Sequence, residues 1–506
     1  MQEEKKNTIT ERDRRNDSYA HVLKYTSIFG GVQGLKILVN VVRNKLAALL
    51  LHSTGLGLNA QYMNSAEVAN SFTNFGIGFS AVQQLSELFE EGDAEKTRRF
   101  VGVIRTWSLL AALCGVLLTL ALSFLAHSWF YPDGEPSWTD ILLLCLFVGT
   151  LPLEEGECSI LKGMRKLHQM AAVESAIAVC TLLLTIPVYY LMGVRGIVLA
   201  LALVSSAKVL IHMVVTCRLF SYRVHLFSPQ VIGAGFKMIG RGIPFMLTAV
   251  FGSITTTILF QYCLNGSDSD IGLYKSAYSL MVTYTGIVFI AFGNDYFPRL
   301  SSVNNNRARM NYAINQQVDV SVLLITPLLI AFVLAMPWVM RLLYSSEFLP
   351  AVTMAQCAVF YMFFGAITKP MAYSSLAKGD SLMYLFVEAV YNLVFVGLMF
   401  YGYHRHGLMG AGVALSLAAL FDMLLIGTLY GIRYGVRLRG GTLRLAAIQG
   451  SMLMLVVLAC MPGLTWLKYA VGLSVFLVSL FFSYRQLSKD VHVTNFFRNK
   501  LNRLNP

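Results

Sequence analysis

Apolar runs of roughly twenty residues recur along the whole chain, separated by short polar segments. A run of about this length is what an α-helix needs to cross a bilayer. Transmembrane β-strands instead alternate polar and apolar residues over about ten positions, a pattern that these runs lack. The chain is therefore predicted to be an all-α, polytopic membrane protein with fourteen spans, near residues 24–51, 60–82, 101–127, 138–160, 168–191, 195–220, 238–264, 271–297, 313–336, 351–377, 381–403, 408–434, 443–462 and 464–484.

The distribution of basic residues gives these spans an orientation. With the amino terminus in the cytoplasm and strict alternation, 31 of the 40 Lys and Arg residues, including Arg105 and Lys369, fall in inner segments and only four in outer ones. Cytoplasmic segments of membrane proteins carry such an excess of positive charge. A wrong number of helices would destroy the asymmetry, so we expect fourteen spans with both termini in the cytoplasm.

The lengths of the polar connections divide the predicted spans into sets. The longest inner connection separates two sets of six helices, and paired halves of this kind are the usual build of secondary transporters. The outer loops are all short, which leaves no room for a catalytic domain outside the membrane. The predicted segments are a cytoplasmic amino-terminal segment 1–23, an N-lobe 24–220, a linker 221–237, a C-lobe 238–434, two accessory helices within 443–484 and a basic cytoplasmic tail 485–506.

The composition excludes several other classes of protein. Of the 506 residues, 56% are hydrophobic and only 13% are charged, about half the share in soluble proteins. A net charge of +13 would suggest nucleic-acid binding in a soluble chain, but here it fits basic loops against anionic lipid. The eight cysteines are scattered through apolar runs, and no phosphate-binding loop or metal motif occurs. We therefore expect no metal, no cofactor and no nucleic-acid partner.

A few basic residues lie at bilayer depth instead of in loops, where a charge costs at least about 2.5 kcal/mol and normally faces water, a partner or a ligand. Lys45, near a helix end, can snorkel to the interface. The others are Lys36, Arg43, Lys208 and Lys275. Polar residues share a helical face with the first two of these, and the second span carries a similar stripe. Two such stripes predict a water-filled cavity; their members are Gln33, Asn40 and Asn44, then Asn64, Glu67 and Asn70.

Carboxylates within the spans leave two interpretations of these cations open. Either the cations pair with carboxylates and join helices, or they bind an anionic ligand such as a phosphate. The acidic residues are also candidates for carrying H+ or Na+ in coupled transport. Cations that were all locked against carboxylates in a dry interior would contradict the ligand interpretation. The carboxylates concerned are Glu67, Glu174, Asp319, Glu388 and Asp422.

Short motifs beside the spans resemble those of a known transporter family. Residues 54–58 read TGLGL in the short turn expected after the first span, residues 271–277 read IGLYKSA at the start of the eighth, and residues 297–300 read FPRL at its end. In these places the chain is similar to the O-antigen flippases, the polysaccharide transporters of the multidrug/oligosaccharidyl-lipid/polysaccharide (MOP) exporter superfamily.

The resemblance implies a MATE-like fold in which two six-helix lobes enclose a cationic lumen. It implies that the protein flips a polyprenyl-pyrophosphate-linked oligosaccharide, an O-antigen or capsular or exopolysaccharide repeat unit, across the bacterial inner membrane by alternating access. Lys36, Arg43, Lys208 and Lys275 would bind the pyrophosphate. The expected partners are this substrate, membrane lipids, and the glycosyltransferases and polymerase of the same pathway.

Two other functions remain open. A multidrug or metabolite exporter of the same superfamily would need acidic and aromatic contacts for organic cations, and the excess of predicted lumen cations argues against it. A membrane glycan polymerase or ligase would need a sizeable outer loop for its chemistry. The short outer loops therefore favour transport over catalysis.

Overall fold

The computed structural model describes residues 2–125, 137–226, 228–286, 289, 296, 299–460 and 465–489. In this part of the chain every regular element is helical, which confirms the predicted all-α fold class. The α-helices, in chain order, are α1 (Gln2–Thr73), α2 (Ile77–Glu90), α3 (Ala94–Leu125), α4 (Trp138–Gly163), α5 (Leu167–Met192), α6 (Ile197–Leu219), α7 (Pro229–Ile258), α8 (Asp268–Tyr278), α9 (Arg307–Leu343), α10 (Ala351–Cys357), α11 (Val359–Ala377), α12 (Ser381–Tyr434), α13 (Gly440–Cys460) and α14 (Thr465–Lys489).

Eight helical stretches of the described chain are long and apolar enough to cross a membrane. Two of them, His168–Leu219 and Ser381–Tyr434, measure 52 and 54 residues, more than twice the roughly twenty that one crossing needs. The first contains a 3-10 turn at Gly193–Gly196, and the second leaves helical geometry at His406 and Gly407. Each therefore has room for two predicted spans, while the total of fourteen stays a prediction.

The bend after the first predicted span lies at a different residue from the one expected. Residues 54–58 are helical, and α1 is kinked at His52, whose φ is 61°. The prediction that the glycine-containing motif forms a turn is therefore wrong. Gly55 instead allows close packing beside this kink, because a Cβ there would lie 2.7 Å from the Cβ of Leu51 and 3.3 Å from the Cγ2 of Val194, in the turn after α5.

The second predicted span, 60–82, is divided in the structure. α1 ends before a turn in which Gly76 has a φ of 66°, and the Oδ1 of Asn74 accepts a hydrogen bond from the Gly76 N–H at 3.0 Å. The backbone of Gly76 also touches α7, since a Cβ on Gly76 would lie 2.3 Å from the carbonyl oxygen of Gly242. The left-handed backbone and this contact both require glycine at position 76.

We expect Gly76→Ala to destabilise the protein by about 2–5 kcal/mol, because a left-handed alanine is strained and its methyl group collides with the Gly242 carbonyl. Gly92→Ala is a matched control, since Gly92 has a φ of +75° but open space where a Cβ would stand. The melting temperatures of the purified proteins in detergent measure the difference. Equal losses in the two variants would show that the contact with Gly242 contributes nothing.

The chain divides into two compact units, Met1–Ser253 and Ile254–Pro506, called unit 1 and unit 2 below. The described part of unit 1 includes apolar clusters around Leu144 between α1, α4 and α6, around Ile104 between α2, α3, α4 and α7, and around Leu161 between α4, α5 and α6. In unit 2, α9 is a long helix with a largely buried apolar face. Its apolar face, including the fully buried Val322, packs against α11, α13 and α14.

Two predicted segment ends differ from the helices of the structure. α7 begins at Pro229, inside the predicted linker 221–237, and proline is well tolerated at the first position of a helix. Residues 485–489 of the predicted tail continue α14, whereas residues 490–506 lie outside the described chain. The division into lobes, linker and accessory helices stays a prediction.

Asp380 fixes both ends of α12. Its Oδ1 accepts the Met383 N–H at 3.1 Å and caps the helix, and its Oδ2 accepts hydrogen bonds from Arg433 at 2.7 Å and the Tyr434 hydroxyl at 2.8 Å. Burial favours the neutral acid, but the bonds from Tyr434, the Met383 N–H and Arg433 outweigh it and hold the pKa of the Asp380 carboxyl below its usual value. Asp380 thereby caps the first end of α12 and links it to the last residues of the same bent helix.

Candidate functional site

Lys36 of α1 forms an ion pair with a carboxylate of α5. Its Nζ lies 2.5 Å from the Oε2 of Glu174, and the two side chains are 37% and 34% exposed. The pair joins two helices that pack side by side in unit 1. Both groups keep about a third of their side-chain surface accessible in the protein.

Lys208 of α6 pairs more loosely with α4. Its Nζ lies 3.6 Å from the Oε1 of Glu154, which is longer than a normal hydrogen bond. One turn further along α6, the Nδ1 of the buried His212 lies 2.9 Å from the Lys208 carbonyl oxygen. The His212 side chain is thus bonded to the backbone of its own helix. The ammonium group of Lys208 is partly exposed beside the carboxylate of Glu154.

The two ion pairs lie on the same side of α4. Cys158 stands one turn after Glu154, on the same face of the helix, and interacts electrostatically with both Glu154 and Glu174. Lys36, Glu154, Glu174 and Lys208 therefore form one group of opposite charges at the junction of α1, α4, α5 and α6, called the unit 1 charge cluster below.

Arg43 lies two helical turns beyond Lys36 on α1, about 10 Å along the axis. Among the described residues, its guanidinium has no carboxylate partner and donates only to the Oδ1 of its neighbour Asn44, at 3.2 Å. The phenol of Tyr189 on α5 is close enough to interact with it electrostatically. Arg43 is half-buried within the predicted first span, and no acidic neighbour in the described part neutralises its charge.

Three glutamates on α4 were not considered as partners from the sequence. Glu154, Glu155 and Glu157 stand within one turn of a predicted span, where unpaired carboxylates would be costly. Glu155 lies against α2, since a Cβ on Gly78 would come within 2.1 Å of its Oε1. The signal was available in the sequence, because three acids in four residues of a span demand several basic or hydrogen-bonding partners nearby.

Arg105, predicted among the basic residues of the inner segments, is buried in the structure to 2% exposure. Its Nε and Nη2 donate to the two carboxylate oxygens of Glu157 at 2.8 and 3.2 Å. Its Nη1 donates to the carbonyl oxygens of Phe220 and Ser221, at 3.2 and 3.0 Å. The Thr216 hydroxyl donates to Glu157 at 2.5 Å. The bidentate pair joins α3, α4 and α6 to the chain that follows α6.

The polar stripe of the second predicted span does not form one continuous surface. Asn64 is buried while Glu67 is exposed, and the buried Oδ1 of Asn70 has no hydrogen-bond partner among the described residues. Ser71, further along, bonds the Ser253 hydroxyl of α7 at 2.9 Å. In the first stripe Asn40 is half-buried like Asn44, whereas the side chain of Gln33 lies outside the described part.

The remaining predicted site residues lie in unit 2. Lys275 is exposed on α8, and Asp319 is half-buried on α9. Glu388 and Asp422, on the two halves of α12, interact electrostatically, and the Oε1 of Glu388 is 3.5 Å from the Nδ2 of Asn392. No three His, Cys, Asp or Glu residues of the described chain are placed to hold a metal ion.

A large cavity in unit 2 is apolar. It measures about 820 Å³ and is lined by side chains of α11, α12 and α13, with Arg437 at its edge. None of the predicted site residues lines it, so it is separate from the charged groups described above.

Comparisons with known proteins agree with this architecture. The family model described as "Polysaccharide biosynthesis protein" matches residues 46–353. No curated protein sequence matches the chain. A solved structure of the lipid II flippase MurJ in an inward closed conformation is similar with a TM-score of 0.61, at 15% identity, over 91% of this chain and 99% of that one.

Two further solved structures have the same fold. An inward-facing multidrug resistance MATE family transporter of the MOP superfamily has a TM-score of 0.62 at 14% identity, over 80% of this chain and 94% of that one. A MOP superfamily transporter from Pyrococcus furiosus, described as having a binding pocket of reverse polarity, has a TM-score of 0.55 at 16% identity over 80% and 94%. The predicted MOP fold is thereby confirmed.

Proposed function

Since the chain belongs to the polysaccharide biosynthesis protein family and is a membrane transporter rather than an enzyme, we propose that its cargo is an oligosaccharide linked to a polyprenyl pyrophosphate. The protein flips this lipid from the inner to the outer leaflet of the bacterial inner membrane by alternating access. An O-antigen, capsular or exopolysaccharide repeat unit is the glycan. Its termini are cytoplasmic, and it receives the lipid from glycosyltransferases and passes it to a polymerase.

The observation that carries the proposal is that no carboxylate of the described chain pairs with the guanidinium of Arg43. A half-buried guanidinium without a carboxylate partner in the described chain is expensive at bilayer depth unless an anion binds it. Arginine donates in parallel to two oxygens and is suited to phosphate. A pyrophosphate in contact with Arg43 would offset the cost of placing this charge in the membrane.

The unit 1 charge cluster supplies the other contacts. Lys36 and Lys208 are half-exposed and held by Glu174 and Glu154, so each ammonium can exchange its carboxylate for a phosphate oxygen. When Lys36 binds phosphate, Glu174 is left without its cation, and binding of H+ or Na+ compensates for this. Substrate binding and ion binding are then coupled through one ion pair.

Flipping in proteoliposomes tests the proposal. The purified protein is reconstituted with a polyprenyl-pyrophosphate-linked oligosaccharide, and a lectin or glycosidase added outside measures the glycan that reaches the outer leaflet. We expect flipping that depends on the protein, while an organic cation dye enclosed in the same vesicles is retained. Efflux of the dye without flipping of the glycolipid would contradict the proposal and favour a drug exporter.

We expect Glu174→Gln to remove the response of flipping to an ion gradient, because glutamine keeps the shape of the side chain but cannot exchange a proton or Na+ for Lys36. The measurement compares initial flipping rates with and without an imposed pH or Na+ gradient. Glu90→Gln is the control, since Glu90 is an exposed glutamate of the same unit that pairs with Arg165. A full response in Glu174→Gln to both gradients would contradict the coupling.

A further inference from the structure

A small cavity in unit 2 combines aromatic rings with a single cation. It measures about 280 Å³ and is lined by Phe289, Lys369, Tyr373 and Tyr384, among others. Its size is near the lower limit of small-molecule sites, about 300 Å³. All of its lining residues lie in unit 2 and apart from the unit 1 charge cluster.

Lys369 lies inside a helical stretch long and apolar enough to cross a membrane, although the charge pattern predicts it among the basic residues of the inner segments. It lies eight residues before the end of α11, which is about 12 Å along the helix axis. Among the described residues its ammonium forms no hydrogen bond or ion pair, and its neighbour is the ring of Phe289, 4.3 Å from Nζ to the ring centroid. The ring face attracts the ammonium but leaves its three N–H donors for a ligand.

Two tyrosines, Tyr373 and Tyr384, also line the cavity and bring hydroxyl groups to it. Tyr384 of α12 lies close enough to interact electrostatically with Tyr373 and with the carboxylates Glu388 and Asp422. Phenols present an apolar ring and a hydroxyl that both donates and accepts. A sugar ring has the matching surfaces, since its C–H face packs on an aromatic ring and its hydroxyls can form hydrogen bonds with phenols.

We propose that this cavity binds an anionic monosaccharide unit of the glycan, with Lys369 on its negative group and the Tyr373 and Tyr384 rings against the sugar. The inference rests on the proposed function and specifies where unit 2 contacts the cargo. The negative group is either the carboxylate of an acidic sugar or the phosphate attached to the first sugar. Both present the same chemistry to an ammonium group.

Binding of labelled sugars to the full chain in nanodiscs tests the site. The two probes are D-glucuronate and α-D-glucose 1-phosphate, and the competitors are D-glucose and inorganic phosphate. We expect one probe or both to bind, and the one that binds more tightly identifies the source of the charge. Lys369→Gln should weaken that binding at least tenfold, about 1.4 kcal/mol. Tyr384→Ala should weaken it as well, while Tyr384→Phe retains the ring and most of the affinity.

Lys378→Gln is the matched control, because Lys378 follows α11, is exposed and donates only to the Asn304 carbonyl oxygen. Absence of binding to both probes, or wild-type affinity in Lys369→Gln, would overturn the proposal. Inorganic phosphate that competes as well as the sugar phosphate would also overturn it, since the cavity would then recognise no sugar. Flipping is measured separately in proteoliposomes, so a variant that loses sugar binding but flips normally would overturn this site and leave the proposed function intact.

Discussion

Replacing Arg43 with alanine is expected to reduce the flipping rate about tenfold to a hundredfold. A hydrogen bond to a charged group contributes roughly 1.5–3 kcal/mol, and each 1.4 kcal/mol corresponds to a factor of ten. The side chain gives up only its bond to Asn44 within the described protein, so expression and melting temperature should stay close to wild type. The initial rate of glycolipid flipping in proteoliposomes measures the effect.

A matched arginine separates this effect from a general loss of positive charge. Arg99 lies on the same unit, is 77% exposed and pairs with Glu95 one turn away, so Arg99→Ala should flip at the wild-type rate. Arg43→Lys keeps the charge but loses the paired donors and should be intermediate. Wild-type flipping by Arg43→Ala at normal protein levels would contradict the role of Arg43 in substrate binding.

The largest loss of stability is expected from breaking the buried pair of Arg105 and Glu157. Arg105→Ala leaves the carboxylate of Glu157 buried without its cation, and removing one partner of such a pair costs about 3–5 kcal/mol. It also removes the donor for the Phe220 and Ser221 carbonyl oxygens. We expect little folded protein after purification, measured by size-exclusion chromatography and by thermal unfolding in detergent.

The double variant Arg105→Met/Glu157→Leu separates two contributions to stability: the cost of leaving one buried charge without a partner, and the stabilisation that the ion pair itself provides. Apolar replacements of both partners are often neutral or stabilising, so the double variant should recover most of the stability that Arg105→Ala loses. A double variant as unstable as the single one would show that the hydrogen bonds to the chain after α6 dominate instead.

The periodicity of apolar residues was sufficient to predict the fold class, because a membrane-crossing helix must be apolar over about twenty residues whatever its neighbours are. The turns were harder to place. The glycines at 55 and 57 suggested a turn, but Gly55 is helical and makes room for Val194. Glycine favours turns and close helix packing equally, and a single sequence does not distinguish the two.

The cations of the first span were found from the sequence, but their partners were not. Lys36 was noted for its depth and Glu174 as an available acid, yet only the packing of α1 against α5 brings them to 2.5 Å. Arg105 and Lys369 were both assigned to inner segments because they lie near span ends. The position of a residue along a helix does not show which face of the helix is buried. The sequence therefore did not reveal that Arg105 forms a buried ion pair with Glu157 or that Lys369 lines a cavity.

The most direct test is a cryo-EM structure of the protein in nanodiscs with a polyprenyl-pyrophosphate-linked disaccharide. The account predicts phosphate oxygens about 3 Å from the guanidinium of Arg43, with the Nζ of Lys36 moved from Glu174 to the phosphate. Phosphates bound elsewhere, with Arg43 still donating to Asn44 and the Lys36–Glu174 pair intact, would contradict it.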